Sequence, residues 1–175
     1  MRKILQYILK LFASAVLAKY RPKIIAITGS VGKTSAKETI FVVLETKFPG
    51  KVRRSLGNFN TEIGAPLTII GGIDAQRSVW SWLGNFLKAL RIVLSRDRGY
   101  PDVLVLEMAA DKPGDIIYLT SFIHPDIAVV TAIGEMPSHL EFFPELDIYI
   151  SEKANIIKNL KPGGIAILNY DDLSV

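Results

Sequence analysis

The stretch Ile24-Ile25-Ala26-Ile27-Thr28-Gly29-Ser30-Val31-Gly32-Lys33-Thr34-Ser35 passes from an unbroken apolar run through a glycine-bearing turn into helix-forming sequence. A short run without polar alternation suits a parallel strand covered on both faces. The turn after it brings backbone N–H groups to a helix N-terminus, where they form a nest for phosphate oxygens. Lys33 then neutralises phosphate charge and the Thr34 hydroxyl reaches a Mg²⁺ ion. Thr28, Gly29, Ser30, Val31, Gly32, Lys33, Thr34 and Ser35 are therefore read as a nucleotide-binding loop. The general phosphate-loop spacing asks for a glycine where this chain has Ile27. Gly-Lys-Thr triplets arise often by chance, but seldom between an apolar strand run and a helix.

Three more apolar runs lie downstream, at Val103-Leu104-Val105-Leu106, Ile127-Ala128-Val129-Val130 and Ile165-Ala166-Ile167-Leu168. Between the runs, helices are expected over Thr34 to Lys47, Ser78 to Ser95, Pro113 to Phe122 and Pro144 to Leu160. In the second of these, Val79, Leu83, Phe86, Leu87, Leu90 and Leu94 line one face, and Trp80 and Trp82 read as core or interface anchors. The β-α alternation predicts an α/β fold, a P-loop-containing doubly wound and mostly parallel sheet. Ligands of such sheets sit beyond the carboxyl ends of the strands. Four places therefore carry candidates: the loop above, Glu107 after the second run, Thr131 to Leu140 with His139 after the third, and Asn169-Tyr170-Asp171-Asp172 after the fourth. Glu107 offers a hard oxygen ligand for Mg²⁺, although an acid that ends a strand is also often a cap or half of an ion pair. His124, beside Pro125, reads as a connector residue. The Asn169 amide can pair with an adenine edge, although Asn-Asp clusters also make turns.

The chain of 175 residues is 49% hydrophobic and 22% charged, which supplies one domain's core and excludes disordered and collagen-like classes. Its net charge of +4 favours anionic partners. No aromatic-interleaved basic stripe marks a nucleic-acid face, so no nucleic acid is expected as a partner. With no cysteine there is neither a disulfide framework nor thiolate chemistry, which fits a reducing compartment.

Residues 1–20, MRKILQYILKLFASAVLAKY, read as an amphipathic helix with Lys3, Gln6, Lys10 and Ser14 on one side and Ile4, Leu5, Ile8, Leu9, Phe12 and Val16 on the other. The run from Ile4 to Ala18 is interrupted by Gln6 and Lys10 and is too short to cross a bilayer. Three readings stay open: the helix lies on a membrane surface, it packs on its own domain or a partner, or it is a cleaved signal. The division expected is residues 1–21 as an N-terminal helix and 22–175 as the nucleotide-binding domain. The expected location is cytoplasmic, with peripheral contact at the inner face of the membrane through residues 1–20 on the first reading.

Six motifs taken in order carry a resemblance: Thr28 to Ser35, Gly57-Asn58-Phe59-Asn60-Thr61-Glu62-Ile63-Gly64-Ala65-Pro66-Leu67-Thr68, Glu107-Met108, His139-Leu140-Glu141, Lys153, and Asn169 to Asp172. The set resembles the central ATP-binding domain of the Mur ligases, most of all the D-alanyl-D-alanine-adding branch, over roughly residues 22 to 172. That family's shortened loop, Thr-Gly-Ser/Thr-x-Gly-Lys-Thr, accounts for Ile27. The resemblance implies ATP-dependent amide formation through an acyl phosphate, with a carboxylate-bearing UDP-muramoyl peptide as acceptor and an amino acid or dipeptide as amine donor. It implies ATP phosphates on Lys33 and the loop amides, Mg²⁺ on Thr34 and Glu107, and a second Mg²⁺ on His139. Lys153 resembles a lysine carried as a carbamate, a metal-binding or metal-orienting anion. Asn169 resembles the adenine contact. Asn58 and Asn60 resemble the substrate-facing loop, with loop bracing as the other reading.

The family's N-terminal domain, which grips the uridine nucleotide, has no counterpart ahead of the loop, and the family continues beyond the position of Val175. The chain is therefore expected to be partial and unable to complete ligation alone. A membrane-associated Mur-like ligase with another acceptor, such as poly-γ-glutamate, and a non-catalytic ATP-binding module stay open as alternatives. A P-loop hydrolase is a third class, but it would keep the full phosphate-loop spacing.

Overall fold

The computed structural model describes residues 2–57, 59–76, 78–95, 99–134 and 142–175. Helix α1 (Arg2–Tyr20) leads into strand β1 (Lys23–Thr28), followed by α2 (Lys33–Lys47), β2 (Val52–Arg54), α3 (Gly64–Ile70), α4 (Val79–Leu94), β3 (Val103–Glu107), α5 (Asp115–Thr120), β4 (Ile127–Val130), α6 (Leu146–Lys158) and β5 (Ile165–Leu168). The five strands form one parallel sheet in the order β2-β3-β1-β4-β5. All four apolar runs are strands, and the α/β doubly wound reading holds.

Alternation along the strands sorts their side chains between two layers. Ile24 and Ala26 of β1, Leu104 and Leu106 of β3, and Ala128 and Val130 of β4 join one core with Leu9, Ala13 and Val16 of α1, Ile69 and Ile70 of α3, Ile116 of α5 and Tyr149 and Ile156 of α6. Helix α2 packs on the opposite face against β1, β2 and β3. Strand β5 lies at the sheet edge with all four residues exposed.

Two elements, β2 and α3, went unforeseen. Strand β2 is a three-residue edge strand holding two arginines, and the Arg53 guanidinium donates to the carbonyls of Thr68 (3.3 Å) and Ile69 (2.9 Å) at the end of α3. Helix α3 starts inside the Gly57 to Thr68 motif, and all seven of its residues are buried.

The α1 helix is docked on the domain. Leu9, Ala13 and Val16 are fully buried and Leu5, Phe12, Leu17 and Tyr20 pack around them, each full burial of a large aliphatic being worth about 1.5–3 kcal/mol. Lys10 donates to Ser121 Oγ at 2.7 Å, and Lys19 caps the end of α4 through the carbonyls of Ile92 and Val93 at 3.0 and 2.9 Å. Among the described residues no helix is long and apolar enough to cross a membrane.

The apolar face read for α4 is turned to solvent rather than to the core. Its buried side is Asn85, Ala89 and Ile92, while Val79, Leu83, Leu87, Leu90 and Leu94 are exposed and Trp80 is 81% exposed. Trp82 is half-buried and stacks on Phe86. The reason is polar as well as steric. Small Ala89 allows close approach, and the Asn85 amide binds both the N–H of Ile73 (3.0 Å) and its carbonyl (2.9 Å), satisfying a buried turn.

Candidate functional site

The loop after β1 is held by the end of β4. Ser30 and Val31 donate their N–H groups to the Ala132 carbonyl at 2.5 and 3.3 Å, and Thr131 Oγ1 donates to the Val31 carbonyl at 2.6 Å. Gly29 lies at φ +145°, and a Cβ there would come within 2.0 Å of Thr131 Oγ1. Gly32 takes the left-handed conformation that opens α2. Since the amides of Ser30 and Val31 are engaged, the donors left for an anion include the first-turn N–H groups of α2 at Lys33, Thr34 and Ser35, which have no intrahelical acceptors.

A cleft of about 270 Å³ opens above these N–H groups, lined among others by Lys33, Thr34, Asn60, Glu107, Asp111 and Lys153. Parallel pairing sets Ile27 opposite Glu107, so the carboxylate leaves the sheet beside the loop. Thr34 Oγ1 donates to Glu107 Oε2 and Asn60 Nδ2 to Glu107 Oε1, both at 3.1 Å. Lys37, one helical turn after Lys33 and 1% exposed, stands 3.5 Å from Glu107 Oε2. Lys33 folds over its own loop, donating to the Ser30 carbonyl at 2.8 Å. Burial lowers its pKa, against the opposing charges of Glu107 and Asp111.

On the other wall, α6 presents Lys153, which is 2% exposed. Its ammonium lies 4.4 Å from the centre of the Tyr149 ring. Glu152, next to it, accepts the N–H groups of Ile116 (2.7 Å) and Ile117 (3.3 Å) and so fixes α6 against the start of α5. Burial first, and the positive charge of Lys33 second, bring the Lys153 pKa down to about 7. An amine in that range is neutral in a large share of molecules near neutral pH.

Thr28, Gly29, Ser30, Val31, Gly32, Lys33, Thr34, Ser35, Glu107, Asn60 and Lys153 are thus brought to one end of the sheet. Asn60 braces Glu107. Asn169 follows β5 and is not among the residues lining the cleft; its Oδ1 accepts the Asp171 N–H at 3.2 Å, an Asx turn. Its neighbour Asp172 accepts the N–H groups of Ile133 (2.6 Å) and Gly134 (2.9 Å), tying the end of β5 to that of β4. His139 and Asn58 lie outside the described residues. Sequence reasoning missed Lys37, Asp111 and Tyr149. Each sits four residues from a residue it identified, at Lys33, Glu107 and Lys153 respectively.

A family model described as Mur ligase middle domain matches residues 85–175. The chain belongs to the Mur ligase family. The UDP-N-acetylmuramoyl-tripeptide--D-alanyl-D-alanine ligase of Bacillus subtilis is 31% identical over 164 residues, covering 94% of this chain and 30% of that protein. The ligase of the same name from Mycobacterium leprae is 34% identical over 152 residues, covering 87% of this chain and 24% of the relative. Among solved structures, the MurF ligase of Thermotoga maritima in complex with ADP superposes with a TM-score of 0.71 at 32% identity, over 95% of this chain and 32% of that one. MurF from Acinetobacter baumannii, at a TM-score of 0.72 and 24% identity over 96% of this chain and 31% of that one, shares the fold. The Mur ligase segment thus spans about 30% of the length of the first of these relatives.

The donor set fits the groups that the family resemblance implies. The Thr34 hydroxyl and the Glu107 carboxylate meet at 3.1 Å on the cleft wall, and two oxygen donors suit a hard cation that retains several waters. First-turn helix N–H groups without intrahelical acceptors, together with Lys33, suit a polyphosphate.

Proposed function

We propose that this Mur ligase segment binds Mg-ATP and activates a carboxylate for amide formation, adding D-alanyl-D-alanine to a UDP-muramoyl peptide in peptidoglycan synthesis within the cytoplasm. The observation that carries the proposal is the convergence of Lys33, Thr34, Glu107 and Lys153 on one cleft, in a chain 31% identical to such a ligase.

In this reading the acceptor carboxylate oxygen attacks the γ-phosphorus, ADP leaves, and an acyl phosphate forms. The amine then attacks the acyl carbon, phosphate leaves with its electron pair, and the amine gives up a proton. Two anions must meet in the first step, so neutralisation of charge is the main demand on the protein. Lys33 and the N–H groups of Lys33, Thr34 and Ser35 hold the β- and γ-phosphates. Thr34 and Glu107 hold the metal, with His139 serving a second one. Bound Mg²⁺ supplies Lewis-acid neutralisation of phosphoryl charge. Asn169 takes the adenine edge, and Asn58 and Asn60 belong to the acceptor loop.

Lys153 is the site of a carbamate. Its ammonium gives up one proton, and the neutral amine then adds CO₂ and releases a second, turning a cation repelled by Lys33 into an anion attracted to it. The depressed pKa in a buried wall supports this, because only the unprotonated amine reacts.

The test is a calorimetric titration of the 175-residue chain with Mg-ATP, with Lys33→Ala as reference. Saturable binding that the variant loses is the expected result. Equal binding by parent and variant overturns the site assignment. Carbamylation is read separately by ¹³C NMR in ¹³C-bicarbonate, where a carbamate signal absent from Lys153→Met is expected and equal spectra refute it.

A further inference from the structure

Outside the cleft, the largest unexplained feature is the outer face of α1 and α4. The two helices lie side by side and run the same way, for Phe12 meets Phe86 midway and Lys19 caps the C-terminal end of α4. Along α4, Val79, Trp80, Leu83, Leu87, Leu90 and Leu94 recur at helical spacing and all point to solvent, Leu94 at 75% exposure. The stripe runs most of the length of a helix about 24 Å long. Alongside it α1 exposes Ile4, Tyr7 and Leu11. A contiguous apolar face of this extent marks an interaction site.

The charges around it select the occupant. Arg2–Tyr20 contains four basic residues and Val79–Leu94 two, and neither helix contains an aspartate or glutamate. On the helical wheel Lys88 and Arg91 border the α4 stripe on the side away from α1. Lys3 and Lys10 border the α1 residues on the side away from α4, where Lys10 lies over Tyr118 and Phe122 of the α5 region. The face is thus apolar at its centre with basic rims on both sides and an exposed tryptophan, the pattern of a surface that seats in the headgroup region of an anionic bilayer. We infer that the paired α1–α4 face docks on an anionic lipid surface. The contact differs from the one expected of residues 1–20 by themselves, since Leu9, Ala13 and Val16 are consumed by the core and the greater part of the lipid-facing area comes from α4.

The distinction decides the experiment. Deleting residues 1–20 would open the core, so the test uses exposed positions. The 175-residue chain is sedimented with vesicles of phosphatidylcholine alone and of phosphatidylcholine with phosphatidylglycerol. Expected are binding to the anionic vesicles only, at least a tenfold loss in Trp80→Ser/Leu87→Ser with an unchanged circular dichroism spectrum, and a comparable loss in Lys3→Glu/Arg91→Glu, each basic residue near such a surface being worth about fivefold. In a Trp82→Phe background, Trp80 emission shifts to the blue on anionic vesicles. Undiminished sedimentation of the double variants, or equal binding to neutral vesicles, overturns the inference. So does self-association abolished by Trp80→Ser/Leu87→Ser without any vesicle binding, which would make the face a protein interface.

Discussion

Replacing Lys37 by Met tests whether the Glu107 carboxylate is held as a buried anion. Lys37 and Glu107 are 1% and 3% exposed and their charged atoms are 3.5 Å apart. Removing one partner of a buried pair leaves the other charge uncompensated and typically costs about 3–5 kcal/mol. Glu107 keeps the hydrogen bonds from Thr34 and Asn60, which places the expected loss at the lower end, about 3 kcal/mol. The second contact of Lys37, 3.3 Å to Glu38, is an ion pair with a half-exposed partner and adds about 0–1 kcal/mol. At a urea m-value of about 2 kcal/mol/M the midpoint falls by about 1.5 M. The assay is urea denaturation of the 175-residue chain and the variants Lys37→Met, Glu107→Gln and the double. Expected is a double variant less destabilised than the sum of the singles by about 2 kcal/mol, because it strands no charge. A single Lys37→Met within about 0.5 kcal/mol of the parent, or losses that simply add, would refute the buried-pair argument.

Further outcomes follow from the loop and from Lys153. Gly29→Ala forces a side chain into the Thr131 hydroxyl at a φ of +145°, so the loop must shift; calorimetry should find Mg-ATP binding weakened at least tenfold, and Thr131→Ala in the same chain should recover only part of it, since the backbone strain remains. For Lys153 the folded-state pKa of about 7 lies below the ordinary lysine value of 10.5, so between these pH values the unfolded chain binds more protons. Stability from this residue therefore rises as pH increases through that window, by up to about 1.4 kcal/mol per pH unit, and is lost again as pH falls toward 7. Urea midpoints of the parent minus those of Lys153→Met should show this slope, and a flat difference from pH 7 to 10 would count against the depressed pKa.

The sheet was legible because parallel strands covered on both faces read as unbroken apolar runs, and Ile24 to Ile27, Val103 to Leu106 and Ile127 to Val130 are such runs. Strand β2 was not, because an edge strand reading Val-Arg-Arg carries no apolar signature. Its arginines look like surface charge until Arg53 is seen against the carbonyls that end α3. Helix α3 opens with Gly-Ala-Pro, residues that read as a loop. In α4 the apolar residues occur on nearly every side, so periodicity could not choose the side that the domain takes, and the choice fell to a small residue and an amide. At the site, Lys33, Thr34 and Glu107 follow from strand ends and loop chemistry alone. A lysine within a helix reads as solvated, so Lys37 escaped notice and Lys153 was reached only through the family resemblance.

These two lysines show why the cleft's electrostatics cannot be taken from a list of charges. Lys33, Lys37 and Lys153 all lie within the reach of Glu107 or of one another, yet they do different things. Lys37 sits behind the carboxylate, 3.5 Å from it, without facing the cleft. Lys33 spans the loop and remains attracted to Glu107 and Asp111. Burial lowers the pKa of Lys33 as well, but Lys153 is brought down to about 7, with Lys33 as the charge responsible after burial itself. A second ammonium in the cleft would add attraction for phosphates but would also repel the metal ions that polyphosphate chemistry needs. A neutral or carbamylated Lys153 removes that conflict and leaves Lys33 as the cation that meets the phosphates. The prediction that separates these states is the effect of bicarbonate on stability. A buried carbamate beside Lys33 should raise the urea midpoint of the parent at pH 7.5 and leave Lys153→Met unchanged, and equal responses of the two chains would remove the carbamate from the account while leaving the neutral amine in place.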